Sequence, residues 1–264
     1  MASLANKVVW ITGASSGIGE GIVKELAHQN VKLIISSRRQ QALEKVKTEC
    51  PNKEIVKILP LDLAQHESLE AKAKDALAMF GRVDVIIHSG GISQRSFAMD
   101  TDIDVSRRLM EVNFFSTIIL TKALLPSMIE NGFGHIVPIS SLVGKFGSPY
   151  RSGYAASKHA LHGYYDSLRA EMWKKGILVT IVTPGFIKTN VSINALTEKG
   201  DASNIMDSGQ ENGLSTEACG RQIIKAILRE KEEVRIGGKE TMAILIKRIL
   251  PGLFSRIIRK ANVR

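Results

Sequence analysis

Cysteine is nearly absent from this chain, and that narrows the possibilities at once. Cys50 and Cys219 are the only two in 264 residues. They are too few for a disulfide framework and too far apart for a zinc motif, so a reducing compartment fits. Long apolar runs are also missing. No stretch approaches the roughly twenty residues of a membrane span. The opening residues 1–7 have no apolar stretch behind a basic start, so no signal peptide or anchor is expected there and the chain is expected to be soluble and cytoplasmic. No internal repeat, low-complexity tract or linker divides it. One domain is the economical expectation for this length. The hydrophobic content of 44% and the charged content of 23% are those of an ordinary globular protein.

Acidic residues are scarce at one end. Residues 221–264 hold twelve Lys/Arg against four Glu, which accounts for about +8 of the formal net charge of +10. The remainder is nearly neutral. A basic tail on a neutral body argues against nucleic-acid binding by the whole domain.

What the chain does have is alternation. Apolar runs at 8–11, 31–36, 55–59, 83–87, 135–139, 177–182 and 234–236 read as strands. Helical patterns follow Gly17 and occupy 40–49, 67–80, 103–130, the stretch from Tyr154 to about 175, and 216–229. Alternating strands and helices imply an α/β fold, a doubly wound parallel sheet of about seven strands with helices on both faces. Residues 1–240 would form this domain, with 241–264 as its basic amphipathic extension.

Gly13, Gly17 and Gly19 lie between the first strand and the first helix, in Thr12-Gly13-Ala14-Ser15-Ser16-Gly17-Ile18-Gly19. Glycines permit the tight turn and let backbone approach a pyrophosphate, which the helix N-terminus then attracts. The second strand ends in Ser36-Ser37-Arg38-Arg39, with no acid to bind a ribose 2′-hydroxyl. Hydroxyls and guanidinium groups suit a 2′-phosphate instead, so the expected cofactor is NADP(H). Asp62, after the third strand, suits either an adenine amine or a turn.

Tyr154 and Lys158 stand one helical turn apart, with Ser141 upstream. An ammonium beside a phenol favours the phenolate, so Lys158 is expected to lower the Tyr154 pKa towards a range useful for acid/base catalysis.

Taken in order, Thr12-Gly13-x-x-x-Gly17-x-Gly19, Asp62, Ser89-Gly90-Gly91, Asn113, Ser141, Tyr154-x-x-x-Lys158 and Pro184-Gly185-x-x-x-Thr189 resemble the short-chain dehydrogenase/reductase family from residue 7 to about 236. Longer runs, among them Arg151-Ser-Gly-Tyr-Ala-Ala-Ser-Lys-His159, are similar to its member-seven subgroup, which is membrane-linked through an N-terminal anchor. The resemblance implies Tyr154 as proton donor or acceptor and Lys158 as its partner and a ribose contact. It implies Ser141 as donor to the substrate oxygen, and Asn113 as holder of a water that links Lys158 to solvent. The implied cofactor contacts are Gly13, Ser15, Ser16, Gly17, Ile18, Gly19, Ser37, Arg38, Arg39, Asp62, Leu63, Ser89, Gly90, Gly91, Pro184, Gly185, Ile187 and Thr189, together with Tyr154 and Lys158. No metal is expected. His88-Ser89-Gly90-Gly91 departs from the family's Asn-Asn-Ala-Gly, which puts local rigidity in question more than chemistry.

The expected reaction is hydride exchange with a carbonyl or secondary alcohol, in a homodimer or homotetramer. A non-catalytic nucleotide sensor and a peripheral membrane protein are the rival readings. Substrate contacts are expected from 93–97, 142–146, Phe186 and 190–213, the last a polar segment that reads as a mobile lid. The tail 241–264 fits either an interfacial segment drawn to anionic lipid or helices packed near the pocket or a subunit interface; packing is favoured. Pro251-Gly252 should split it.

Overall fold

The computed structural model describes residues 3–261. The first two residues and 262–264, which end the basic tail, lie outside the described residues.

Val8–Thr12 (β1) is buried at every position, and Gly17–Leu26 (α1) follows. Lys32–Ser36 (β2), Gln40–Thr48 (α2), Val56–Ile58 (β3), His66–Phe80 (α3) and Val85–His88 (β4) continue the alternation. Ile103–Met110 (α4) and Ser116–Glu130 (α5) are joined by one π-helical turn, Glu111–Phe115. Then come Gly134–Pro138 (β5), Ser152–Met172 (α6), Ile177–Val179 (β6), Ile181–Pro184 (β7), Ser208–Glu211 (α7), Thr216–Leu228 (α8) and Glu233–Ile236 (β8). Met242–Ile249 (α9) and Pro251–Ile258 (α10) close the chain.

Six strands form a parallel sheet in the order β3-β2-β1-β4-β5-β6. The order reverses between β1 and β4, the switch point where such sheets open a ligand crevice. The expected strand 177–182 is two pieces. Its first part pairs with β5 and its second with β8, and the change falls at Thr180. Thr180 is held there by its hydroxyl, which donates to the Lys231 carbonyl and meets His135 Nε2 at 2.8 Å. A single parallel bridge, Ile139 to Val182, ties the β7–β8 pair to the main sheet. Counting 177–184 as one run recovers the seven strands expected.

The strands are apolar because both faces are covered. One layer places α1 and α8 over Ile11, Leu33, Val85 and Val137. The other places α3, α5 and α6 over Trp10, Ile34, Ile86 and Ile136. The helical stretch Ile103–Glu130 is long and apolar enough to cross a membrane by length and composition, which the inspection of apolar runs missed. Half of its most apolar window is buried in the protein, and Leu120, Leu124 and Met128 belong to the core.

Candidate active site

One cavity of about 940 Å³ runs along the carboxyl ends of the strands, from Arg38 at one end to Phe254 at the other. Of the residues expected at the site, Gly13, Ser15, Ser16, Gly17, Ile18, Ser37, Arg38, Arg39, Asp62, Leu63, Ser89, Gly90, Gly91, Ser141, Tyr154, Lys158, Pro184, Gly185, Ile187 and Thr189 all line it. Gly19 and Asn113 do not. A Cβ on Gly19 would come within 2.4 Å of the Gly13 carbonyl, so Gly19 lets α1 pack against its own entry turn.

At Gly13 the backbone has φ +68°, and a Cβ there would meet Gly90 Cα at 2.5 Å. Two loops therefore touch backbone to backbone at the switch point, and no side chain fits between them. Gly17 has φ +61° and faces Thr189 across the cleft. Ser16 precedes the first turn of α1 without capping it through its side chain, which leaves the early N–H groups open to an anion. Arg38 and Arg39 are exposed on the cavity rim, and neither makes an ion pair among the described residues. Asp62 Oδ1 accepts from Ala64 N at 3.0 Å, so it shapes its turn as well as lining the cavity.

Asn113 sits in the π turn, and the widened turn aims its amide inward. Its Oδ1 accepts from Ile92 N at 2.8 Å. Its Nδ2 donates to Ile92 O at 2.9 Å and to Ser157 Oγ at 3.0 Å. The amide thus fastens the Gly91–Ile92 loop to α6. π turns often mark functional positions.

Tyr154, Ser141 and Lys158 come together as expected, but their electrostatics differ from the expectation. Lys158 was expected to lower the Tyr154 pKa. Its Nζ instead donates to the Ile139 carbonyl at 2.8 Å and lies 5.8 Å from the tyrosine ring centre. Burial pushes the phenol above its usual value near 10. A hydrogen bond with Ser141 opposes that rise, as do the charges of Arg151 and Arg95. Tyr154 is half-buried by area, yet its hydroxyl is ringed by protein, and desolvation prevails. The same desolvation lowers Lys158 to about 8.

Four further residues of the site were not anticipated in these roles. Asp207 is buried and pairs with two buried arginines, Arg95 and Arg151. Arg95 Nε reaches Asp207 Oδ1 at 3.1 Å, its second nitrogen bonds Oδ2, and Arg151 reaches Oδ2 at 2.8 Å. The triad joins the loop after β4, the start of α6 and the segment before α8. Gln94 does a related job. Its Oε1 accepts from Gly153 N at 2.8 Å and from Tyr154 N at 3.2 Å. It caps α6 from sixty residues away, where the local N-cap residue, Arg151, makes no side-chain cap. The position of Arg151 three residues before Tyr154 was the one visible signal.

The segment 190–213 is not a free polar lid. Asp207 pins it, Leu196 bridges to Gln94 and Ala202, and Leu214 bridges to Ile187. Phe97, expected near substrate, lies outside the cavity lining and stacks on Tyr150 with ring centres 4.3 Å apart. The tail is seated over the cavity. Pro251 begins α10 after a break at Leu250, and Phe254 packs on Phe146 with ring centres 5.1 Å apart. Ala243, Ile246, Ile257, Ile258 and Ala261 complete that wall.

His88 is buried, and its Nε2 meets Thr121 Oγ1 at 2.9 Å. Burial lowers its pKa to about 3, so it is a neutral core residue at the end of β4.

The family model described as short chain dehydrogenase matches residues 7–200. Dehydrogenase/reductase SDR family member 7B of Mus musculus is 40% identical over 263 residues, which cover 97% of this chain and 81% of that protein. Dehydrogenase/reductase SDR family protein 7-like of Drosophila melanogaster is 39% identical, covering 99% and 82%. A short-chain dehydrogenase from Streptomyces avermitilis superposes with a TM-score of 0.82 at 28% identity, over 97% of this chain and 96% of that one. A short chain dehydrogenase from Burkholderia cenocepacia, solved in complex with NADP, superposes with a TM-score of 0.81 over 99% and 100% of the two chains; at 21% identity it attests the fold.

Proposed function

The chain belongs to the short chain dehydrogenase family, and from that premise we propose that it is an NADP(H)-dependent oxidoreductase acting on a carbonyl or secondary alcohol. One observation carries this reading. Tyr154, Ser141 and Lys158 share a single cavity with the glycine turn and with the guanidinium groups of Arg38 and Arg39, which form no ion pair among the described residues.

The residues present fit the dinucleotide. The glycine turn brings backbone and the uncapped start of α1 to the cavity, where a pyrophosphate would meet them. Ser37, Arg38 and Arg39 would hold a 2′-phosphate; the acid at that end, Asp62, accepts from the Ala64 N–H of its own turn. Bound there, the cofactor supplies or accepts the hydride.

The protein's own part is proton handling and orientation. A phenol pushed up by burial stays protonated at neutral pH, which suits Tyr154 as donor to a carbonyl oxygen. Ser141 sits within hydrogen-bond reach of that phenol and would donate to the same oxygen as charge develops on it. Lys158, lowered to about 8, is mostly charged at pH 7. Its position by Ile139 O presents the ammonium to the cavity, where a ribose hydroxyl would meet it. Asn113 and Gln94 keep these groups in register through the loop and the helix start.

The test is a panel of ketones, aldehydes and secondary alcohols with NADPH, NADH and their oxidised forms. Tyr154→Phe is expected to lower turnover at least a hundredfold while NADPH still binds. Arg38→Ala is expected to weaken NADPH about tenfold or more and NADH little. A Tyr154→Phe protein with undiminished turnover would remove the assignment.

A further inference from the structure

The tail has two faces, and only one is accounted for by the cavity. On α9, Met242, Leu245 and Ile249 follow at i, i+3 and i+7, and they are 54%, 38% and 70% exposed. Leu250 at the break, with Leu253 and Ile257 on α10, repeats the spacing at 52%, 47% and 48%, Ile257 also reaching the cavity edge. The opposite stripes, Ile246 on α9 with Phe254 and Ile258 on α10, line the cavity. Scattered exposed apolar residues are ordinary, but six in two consecutive stripes are not. Arg248, Arg256, Arg259 and Lys260 are exposed beside them, and no acid occurs from residue 241 to the end of the chain. Among the described residues none of these four cations forms an ion pair.

We propose that the outer face of α9–α10 docks the protein on an anionic membrane surface. The apolar stripes enter the headgroup boundary and the cations face acidic lipid. Charge complementarity selects this occupant over a second copy, because the same face on a copy would bring like charges together. The two helices also wall the cavity, whose tail end is lined by Leu142, Val143, Phe146, Ile246, Phe254 and Ile258. A docked molecule therefore turns that apolar end towards lipid, which fits an apolar, membrane-dissolved carbonyl or alcohol. The substrate half of this statement rests on the proposed function; the docking half does not.

Co-sedimentation of the full chain with phosphatidylcholine vesicles, with and without phosphatidylserine, tests it. The wild-type protein is expected to pellet with the acidic vesicles and to be released by salt. Leu245→Glu/Ile249→Glu/Leu253→Glu is expected to lose at least about tenfold in partitioning. Arg256→Ser/Arg259→Ser is expected to lose roughly fivefold per charge. Neither variant touches the catalytic groups, so turnover of a short water-soluble substrate should be unchanged in both. Equal pelleting of all three proteins, or no pelleting of the wild type, overturns the proposal. A variant that binds vesicles normally but sediments as a smaller species would assign the face to a second copy and overturn it too. If no carbonyl or alcohol is turned over while acidic vesicles still capture the protein, the enzyme reading fails and the docking stands.

Discussion

Replacing Lys158 with methionine should make this protein more stable while it destroys turnover. The ammonium of Lys158 is buried, and its pKa is lowered from 10.5 to about 8. At about 1.4 kcal/mol per unit, the charged form costs the native state about 3 kcal/mol relative to the unfolded chain at neutral pH. Methionine keeps the length and removes the charge. It also gives up the bond to the Ile139 carbonyl, worth about 1 kcal/mol. The net expectation is a gain of about 2 kcal/mol at pH 7, or a rise in Tm of about 4–8 °C. The pH dependence carries the stronger test. Between about 8 and 10.5 the unfolded wild-type chain binds a proton at this lysine that the native state has lost. Wild-type stability therefore rises with pH through that window, and the variant has no such contribution. The difference between the two should be largest below pH 8 and should shrink above it. Urea unfolding of both proteins, without dinucleotide, at pH 7 and again near the top of the window measures it. A variant less stable at pH 7, or a difference that does not change with pH, would show that the ammonium is not desolvated. The placement of Lys158 argued above would then be wrong.

Asp207→Asn should destabilise the protein by about 3–5 kcal/mol, because it leaves Arg95 and Arg151 buried against one another. Both cations pull on the Tyr154 phenol, so the pH profile of carbonyl reduction should also move to the acid side; a lower Tm with an unmoved profile would make the triad purely structural. Gln94→Leu should cost about 1–2 kcal/mol and reduce kcat, whereas Gln94→Glu keeps the acceptor and should restore much of both; equal kcat in all three proteins would refute the positioning role. Burial lowers His88 to about 3 and His135 to about 4, so the unfolded chain takes up these protons first as pH falls below about 6.5. Each should remove about 1.4 kcal/mol of stability per pH unit from there towards pH 4. Unfolding titrations of His88→Asn should show a slope shallower by about one proton, and an unchanged slope would place His88 in contact with water.

What could be read from the sequence, and what could not, divides along one physical line. Features set by neighbours in the chain were legible. A glycine that must adopt a positive φ between a strand and a helix, such as Gly13, announces itself by position. A tyrosine and a lysine one turn apart must share a helix face wherever the helix goes. The tail split at Pro251 because proline cannot continue a helix. Features set by distant neighbours were not legible. Arg95 and Asp207 are 112 positions apart, and Gln94 caps a helix start 59 positions on. No local pattern requires either pairing. The strand break at Thr180 depends on which partner strand runs alongside.

The largest error, the direction of the Tyr154 shift, has the same origin. Spacing along α6 gave the right pair of residues but could not reveal how far the fold would withdraw both from water, nor that a backbone carbonyl would claim the ammonium. Sequence spacing states which charges are near; only packing states what the medium between them is. A protonated phenol and a lysine that stays mostly charged at pH 7 are the consequence. Under the proposed function that consequence would suit the reducing direction at neutral pH: the group that must give up a proton still holds it, and the buried cation beside it is open to a ribose hydroxyl rather than spent on a phenolate.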